Sequence, residues 1–396
     1  MTKLTADTRS KLRVRSRLVH LARDVEGSQG FLNVPAFRGS TVLHPDVATL
    51  RNRKQRYTYG TNTPTMAALN EAWTDLSGAA GTLLVPSGLA AIAMALMTTL
   101  SAGDHLLMTD AAYFPARNLA DNALSRMGIE TTYYDPAIGA GISDLMRPNT
   151  KAVFTEAPGS QTLDMQDIPA ISAAAHARDI CVIMDNTWAT PLFYAPHAHG
   201  VDMAVEAGTK YLSGHSDLLL GLISANAEWL LRLQKYIGLF AIPPGPDDVY
   251  LALRGLRTMD LRLRESERQA LALARWLQGR PEVLRVIHPA LPDDPGHAIW
   301  KRDFTGSSGL FTVVLKPASD AAVATMLDGL ELFGLGYSWG GFESLVIPFD
   351  CTSYRTATRW APGGPTLRFH VGFEDLEDLK EDLDRGFARL RKAAAI

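Results

Sequence analysis

The chain has 396 residues, of which 46% are apolar and 20% charged, enough to bury a substantial core. At about 150 residues per domain, this length suggests two to three domains, or one large α/β unit with an appendage. The balance of 39 basic and 42 acidic residues, a formal charge of −3, excludes a polybasic nucleic-acid or membrane-surface protein on bulk charge. Two cysteines, Cys181 and Cys351, are too few for a disulfide framework or a Cys-based zinc site.

Residues 1–24 contain no apolar run of the secretory kind. The most apolar stretch, 82–100, is interrupted by Pro86, Ser87 and Gly88, whereas a membrane span needs about 20 unbroken apolar residues. The expected compartment is therefore a reducing cytosol. Residues 1–60 read as a basic, polar arm, irregular over 27–39. From Thr61 short apolar runs alternate with helical segments. The pattern predicts a strand over 82–85, a buried helix over 88–100, a strand over 104–109 and a helix over 115–127 closed by Gly128. Strands follow over 131–134 and 151–155, then a helix over 169–178, a strand over 180–184 that buries Cys181, and a strand over 201–207. This alternation predicts a mostly parallel sheet covered on both faces, the large α/β domain, over 61–256. Pro243-Pro-Gly-Pro246 breaks the pattern. One long amphipathic helix is predicted over 247–277, with Arg262, Arg264, Glu265, Glu267 and Arg268 largely on its solvated face. Strands over 310–315 and 367–371 and a charged final helix predict a smaller α+β domain over 257–396.

The chemistry concentrates where strands end. Asp185-Asn-Thr-Trp188 closes one strand and Thr209-Lys210 follows another. Ligands of open α/β sheets sit beyond the carboxyl ends of the strands, so Asp185 and Lys210 are expected to meet. In Pro86-Ser-Gly-Leu-Ala90 a strand turns into a helix; Gly88 allows close backbone approach, and a helix N-terminus favours an anion such as phosphate. A lysine, a carboxylate and a phosphate cradle on one sheet edge are what pyridoxal 5′-phosphate (PLP) requires. The lysine joins its aldehyde, the carboxylate keeps the ring nitrogen protonated, and amides with Thr209 bind the phosphate. His176, His197 and His199 lack partners at ligand spacing, so no metal is expected. Trp73, Trp229, Trp276 and Trp300 read as core or subunit interface, and no nucleic-acid or membrane partner is expected.

The segments Met184-Asp-Asn-Thr-Trp188, Thr209-Lys-Tyr-Leu-Ser-Gly-His-Ser-Asp217 and Arg254-Gly-Leu-Arg-Thr258 resemble the Cys/Met-metabolism PLP-dependent enzymes of fold type I, over nearly the whole chain. Residues 296–309 and Tyr337-Ser-Trp-Gly-Gly-Phe-Glu-Ser344 resemble the β-lyase branch of that family. The resemblance implies that Lys210 carries PLP and then moves protons, that Asp185 pairs with the pyridine nitrogen, and that Tyr113 stacks on the ring. It places Gly88, Leu89 and Thr209 on the phosphate, Ser160 near the ring hydroxyl, and Arg368 on the substrate α-carboxylate, a bidentate geometry that arginine suits. Ser338 and Trp339 would line that side, and Tyr59 would reach a neighbouring subunit's cofactor and substrate site.

The implied reaction is α,β-elimination of an amino-acid thioether, cystathionine, in methionine biosynthesis by transsulfuration, in a homotetramer whose dimers share active sites. A γ-lyase or cysteine-S-conjugate lyase on the same scaffold is the alternative; a PLP-binding regulator is another. The resemblance departs in the arm: Thr61 stands where the family carries an arginine, and the loop is one residue short, with Arg56 and Arg53 the nearest cations. His215 and His370 read as bystanders, because Lys210 already supplies the proton shuttle.

Overall fold

A computed structural model describes Thr8, residues 11–52 and residues 55–394. Its larger sheet takes β1 Gly81–Val85, β2 His105–Thr109, β3 Glu130–Tyr134, β4 Thr150–Glu156, β5 Cys181–Asp185, β6 Met203–Ala207 and β7 Gly221–Ala225 in the order β1-β7-β6-β5-β4-β2-β3. β7 pairs antiparallel with both of its neighbours and every other pairing is parallel. β1 therefore points the same way as β2 to β6, and the carboxyl ends of all six lie on one edge. Parallel strands need cover on both faces, which explains why β2 is buried along its whole length; the antiparallel β7, lying inside the same covered sheet, is buried throughout as well. The helix Gly88–Thr99 lies on one face; Ser87 caps it by accepting from the Ala90 N–H at 3.1 Å. Ile92, Ala95 and Leu96 share a core there with Leu106, Ile183 and Val205.

The smaller sheet is fully antiparallel, in the order β10-β11-β9-β8, from β8 Val283–Ile287, β9 Leu310–Leu315, β10 Leu345–Phe349 and β11 Thr366–His370. One hydrophobic cluster joins the two sheets, with Leu107, Val182 and Met184 of the larger in the same cluster as Phe311, Val346 and Phe369 of the smaller. Phe311 and Phe369 stack with ring centroids 5.5 Å apart.

The structure corrects several expectations. The single helix over 247–277 is two, Pro246–Leu256 and Met259–Gln278, broken where Thr258 leaves helical geometry at φ −111°, ψ 6°. At the break Arg257 turns away to donate to the carbonyls of Leu18 and Leu21, at 2.8 and 2.5 Å. Arg262 is not on a solvated face: it donates to the carbonyls of Tyr211 (2.8 Å) and Gly255 (2.8 Å). Glu267 likewise turns inward, accepting from the Ser307 N–H at 2.8 Å. The helix expected over 115–127 keeps α geometry only over Phe114–Leu119, then widens into a π turn and tightens into a 3-10 turn before Gly128, at φ 78°. β7 and the helix Ala227–Phe240 had no counterpart in the sequence reading. The N-terminal arm is partly tied to its own chain, since Leu18, Leu21 and Val34 pack with Leu69 and Trp73 of the helix Pro64–Ser77.

A buried polar knot ties the β10–β11 connection to the larger sheet. Asp110, just beyond β2, pairs with Arg117 at 2.9 Å, and both side chains are buried. Asp110 also accepts from the N–H groups of Thr356 (3.0 Å) and Thr358 (2.8 Å) and from the Thr358 hydroxyl (2.6 Å). Arg117 donates to the Tyr354 carbonyl and lies 3.6 Å over the Tyr133 ring. Removing one partner of such a pair strands the other charge. Arg117→Met is expected to cost about 3–5 kcal/mol, read as a lowered midpoint of chemical denaturation.

Candidate active site

The edge formed by the carboxyl ends of the parallel strands gathers the residues singled out from sequence. β1 delivers Ser87 and Gly88, and β2 leads to Tyr113. β4 ends at Glu156 ahead of Ser160, β5 ends at Asp185, and β6 leads to Thr209 and Lys210. Gly88 is required where it is, because a Cβ there would lie 2.7 Å from the Ala207 Cβ. The first N–H groups of the helix it opens, Gly88 and Leu89 among them, have no intrahelical acceptor.

Lys210 is anchored by its backbone: its N–H donates to the Ala207 carbonyl (3.0 Å) and its carbonyl accepts from Gly214 N–H (2.8 Å). The half-buried guanidinium of Arg262 holds the next two carbonyls, those of Tyr211 and Leu212. The Lys210 Nζ donates to the Ser338 hydroxyl at 2.6 Å and lies 5.2 Å from the centre of the Trp339 ring. Arg368 on β11 donates from Nη2 to the Ser338 carbonyl at 2.9 Å, while its buried Nε has no partner. Among the described residues Arg368 has no ion pair, and Glu374, six residues on, is taken by Ser344. A buried guanidinium without a carboxylate is a place for an anionic ligand group. Burial pulls the Lys210 amine down to about 8, with Arg368 adding to the fall and Asp185 opposing it.

Asp185 accepts from the Thr187 N–H (2.9 Å) and hydroxyl (2.6 Å), both on Oδ1, which leaves Oδ2 free of these bonds. Burial raises its pKa, against the Thr187 bonds and Lys210. Tyr113 is 45% exposed and opens the helix Phe114–Leu119; its N–H donates to Glu156 Oε2 at 2.7 Å. Burial, then Asp185 and Glu156, raise its phenol pKa and keep it protonated. Thr209 exchanges hydrogen bonds with the Leu220 backbone, and Ser160 is held to the Ala111 carbonyl at 2.8 Å.

Tyr59 stands apart. It is 57% exposed on the arm, and among the described residues no hydrogen bond or ring contact links it to this group. Thr61 is exposed, Arg56 is taken by Glu71, and Arg53 lies outside the described residues. His215 points its Nδ1 at the Ser213 carbonyl. Sequence reasoning missed Glu156, which braces Tyr113, and Glu206, a buried carboxyl pushed up to about 8 by burial that meets Trp73 Nε1 at 3.2 Å and Asn186 Nδ2 at 3.4 Å. The available signal was an acidic residue inside or closing an otherwise apolar strand.

These residues fit PLP. The Gly88 turn offers unpaired amides to a phosphate, Asp185 keeps an oxygen for a ring nitrogen, and Lys210 offers an amine of lowered pKa between them.

The profile of the Cys/Met metabolism PLP-dependent enzymes matches residues 15–388. A protein of Rhizobium johnstonii, named as a candidate cystathionine β-lyase, is 52% identical over 95% of this chain and 96% of its own. The cystathionine β-lyase of Escherichia coli is 40% identical over 95% of this chain and 98% of its own. The crystal structure of cystathionine γ-lyase from Lactobacillus plantarum, complexed with L-serine, superposes with a TM-score of 0.88 at 28% identity, covering 96% of this chain and 100% of that one.

The electrostatics give a direct test. Arg368 depresses the Lys210 amine, so Arg368→Met is expected to move the Lys210 pKa upward from about 8, as read from the pH dependence of amine labelling of the cofactor-free protein followed by peptide mapping.

Proposed function

The chain belongs to the Cys/Met metabolism PLP-dependent enzyme family, and on that premise we propose that it is a cystathionine β-lyase, converting L-cystathionine and one water into homocysteine, pyruvate and ammonia. The observation that carries this reading is the unpaired, buried guanidinium of Arg368, tied through Ser338 to the amine of Lys210. It is a grip for an α-amino acid carboxylate beside a base. The identity with named cystathionine β-lyases selects the thioether.

Lys210 would hold PLP, Asp185 Oδ2 would face its ring nitrogen, and Gly88, Leu89 and Thr209 would bind its phosphate. Tyr113 would stack on the ring, Ser160 would lie near its hydroxyl, and Tyr59 of a neighbouring subunit would complete the site. Bound PLP supplies an electron sink that makes the substrate Cα–H acidic and lets the Cβ–S bond break. Arg368 grips the α-carboxylate with Ser338 and Trp339 beside it, which orients the Cα–H bond. Lys210, with an amine at about 8, is neutral often enough near neutrality to take the Cα proton at Nζ. The same Nζ, with the Tyr113 hydroxyl held neutral by its raised pKa, returns a proton to the departing sulfur.

The break at Arg257–Thr258 supports dividing the chain into a cofactor-binding domain over 61–256 and a C-terminal domain over 257–396. Exposed Phe31, Leu32, Leu43 and Leu50 of the arm, with Leu239 and Phe240, support assembly into a homotetramer with shared sites. Among the described residues no helix is long and apolar enough to cross a membrane; we place the enzyme in the cytoplasm, in methionine biosynthesis.

The identity of the keto acid released from cystathionine decides the reaction. Pyruvate is expected, with release abolished in Lys210→Ala. α-Ketobutyrate would mean γ-elimination and overturn the reading in favour of a γ-lyase.

A further inference from the structure

We infer that His370 is a positioning residue, which holds the Ser338–Gly341 turn through Nε2 and thereby sets the Ser338 hydroxyl on the Lys210 amine. Ser338 lies at φ 83°, in the left-handed region that a non-glycine residue occupies only when its surroundings hold it there. Its own side chain does not relieve that strain by a local bond, because the hydroxyl is taken by Lys210 at 2.6 Å. The turn presses on the lysine: a Cβ at Gly340, φ 88°, would lie 3.0 Å from the Lys210 carbonyl carbon and the Tyr211 nitrogen. Small displacements of the turn are thus displacements of the hydroxyl relative to the amine.

The hold comes from β11. Arg368 and His370 are two residues apart on that strand and so share one face. Arg368 reaches the Ser338 carbonyl at one end of the turn. His370 Nε2 accepts from the Gly340 N–H at 3.0 Å; carrying no proton in that role, it makes no hydrogen bond to the Gly341 carbonyl oxygen 3.2 Å away. The imidazole is fully buried and its Nδ1 has no partner, so all of its polar contact goes to this turn. Burial first, with Arg368 and Lys210 adding, pulls its pKa down to about 4 against the Gly341 contact. The ring therefore stays neutral and keeps a lone pair for the Gly340 N–H.

This role becomes most important in the working enzyme. A substrate carboxylate on Arg368 draws on the same guanidinium that holds Ser338, so His370 is the hold from β11 that substrate does not engage. The inference rests on Lys210 being the cofactor lysine.

The test uses full-length protein stripped of cofactor and follows the rise of visible absorbance on adding PLP as a function of pH. The Ser338 hydroxyl accepts from the charged amine and favours it, so loosening the turn lowers the Lys210 pKa. His370→Leu is expected to shift the midpoint down by about 0.5 unit, with the final absorbance unchanged. His370→Gln, whose amide oxygen offers an acceptor for the Gly340 N–H at similar reach, is expected to stay within about 0.2 unit of wild type. In the loaded enzyme, turnover at saturating cystathionine is expected to fall roughly tenfold in the leucine variant and less than about threefold in the glutamine variant. His370→Asn, polar but too short to reach Gly340, replaces leucine if that variant does not fold, with the same expectation. A wild-type midpoint and turnover in leucine or asparagine, or equal impairment in glutamine, would overturn the inference. Lys210→Ala separates the premise: if it develops the same absorbance as wild type, the assignment of Lys210 has failed, whatever His370 does.

Discussion

A half-buried lysine and a buried arginine facing one serine set the character of this molecule. Lys210 reaches the Ser338 hydroxyl and Arg368 reaches the Ser338 carbonyl, and neither forms an ion pair among the described residues. Both groups are pulled down: Lys210 to about 8, by burial and then by Arg368, and Arg368 to about 10, by burial. The arrangement is costly by itself and is relieved by anions. On the proposed function, a cofactor phosphate at the Gly88 turn and a substrate carboxylate on Arg368 would be its complements. The same cost makes a lysine able to shed its proton near neutrality, which a solvated lysine does not do.

That juxtaposition spans two sheets, and the fold is organised to keep it. Lys210 follows a strand of the larger sheet while Arg368 lies within the smaller one. Their relative position depends on a core that runs through both, from Val182 and Met184 to Phe311 and Phe369. It depends also on the knot at Asp110, where a buried carboxylate takes the β10–β11 connection in hand. Arg262 contributes from a third side by holding the carbonyls after Lys210. Here a guanidinium serves three backbone carbonyls and the Thr258 hydroxyl, with burial lowering its pKa to about 10.

The strands of the larger sheet were legible because parallel strands buried on both faces read as short apolar runs, as in His105–Thr109 and Cys181–Asp185. The lysine and aspartate were legible because they stand just where such runs end. β7 was not, although it is fully buried: Gly221-Leu-Ile-Ser-Ala225 is short and follows an irregular stretch that hid its start. The break at Thr258 was invisible for a different reason. Amphipathic periodicity runs straight through 247–277, and what ends the first helix is Arg257 reaching carbonyls some 240 positions earlier in the chain.

By itself the sequence determined the alternating α/β layout, the run of residues that ends in Lys210, the carboxylate Asp185 and the glycine turn at Gly88, because each is a local pattern with a local physical cause. Only the tertiary structure decided that Arg368 has no carboxylate partner, that Ser338 lies strained between two cations, that Arg262 faces inward and that His370 holds the turn from beneath. Those facts join segments from 30 to 128 residues apart. Long-range contacts of that kind are set by packing and by the cost of leaving a buried polar group unpaired, and neither leaves a periodic trace in the chain.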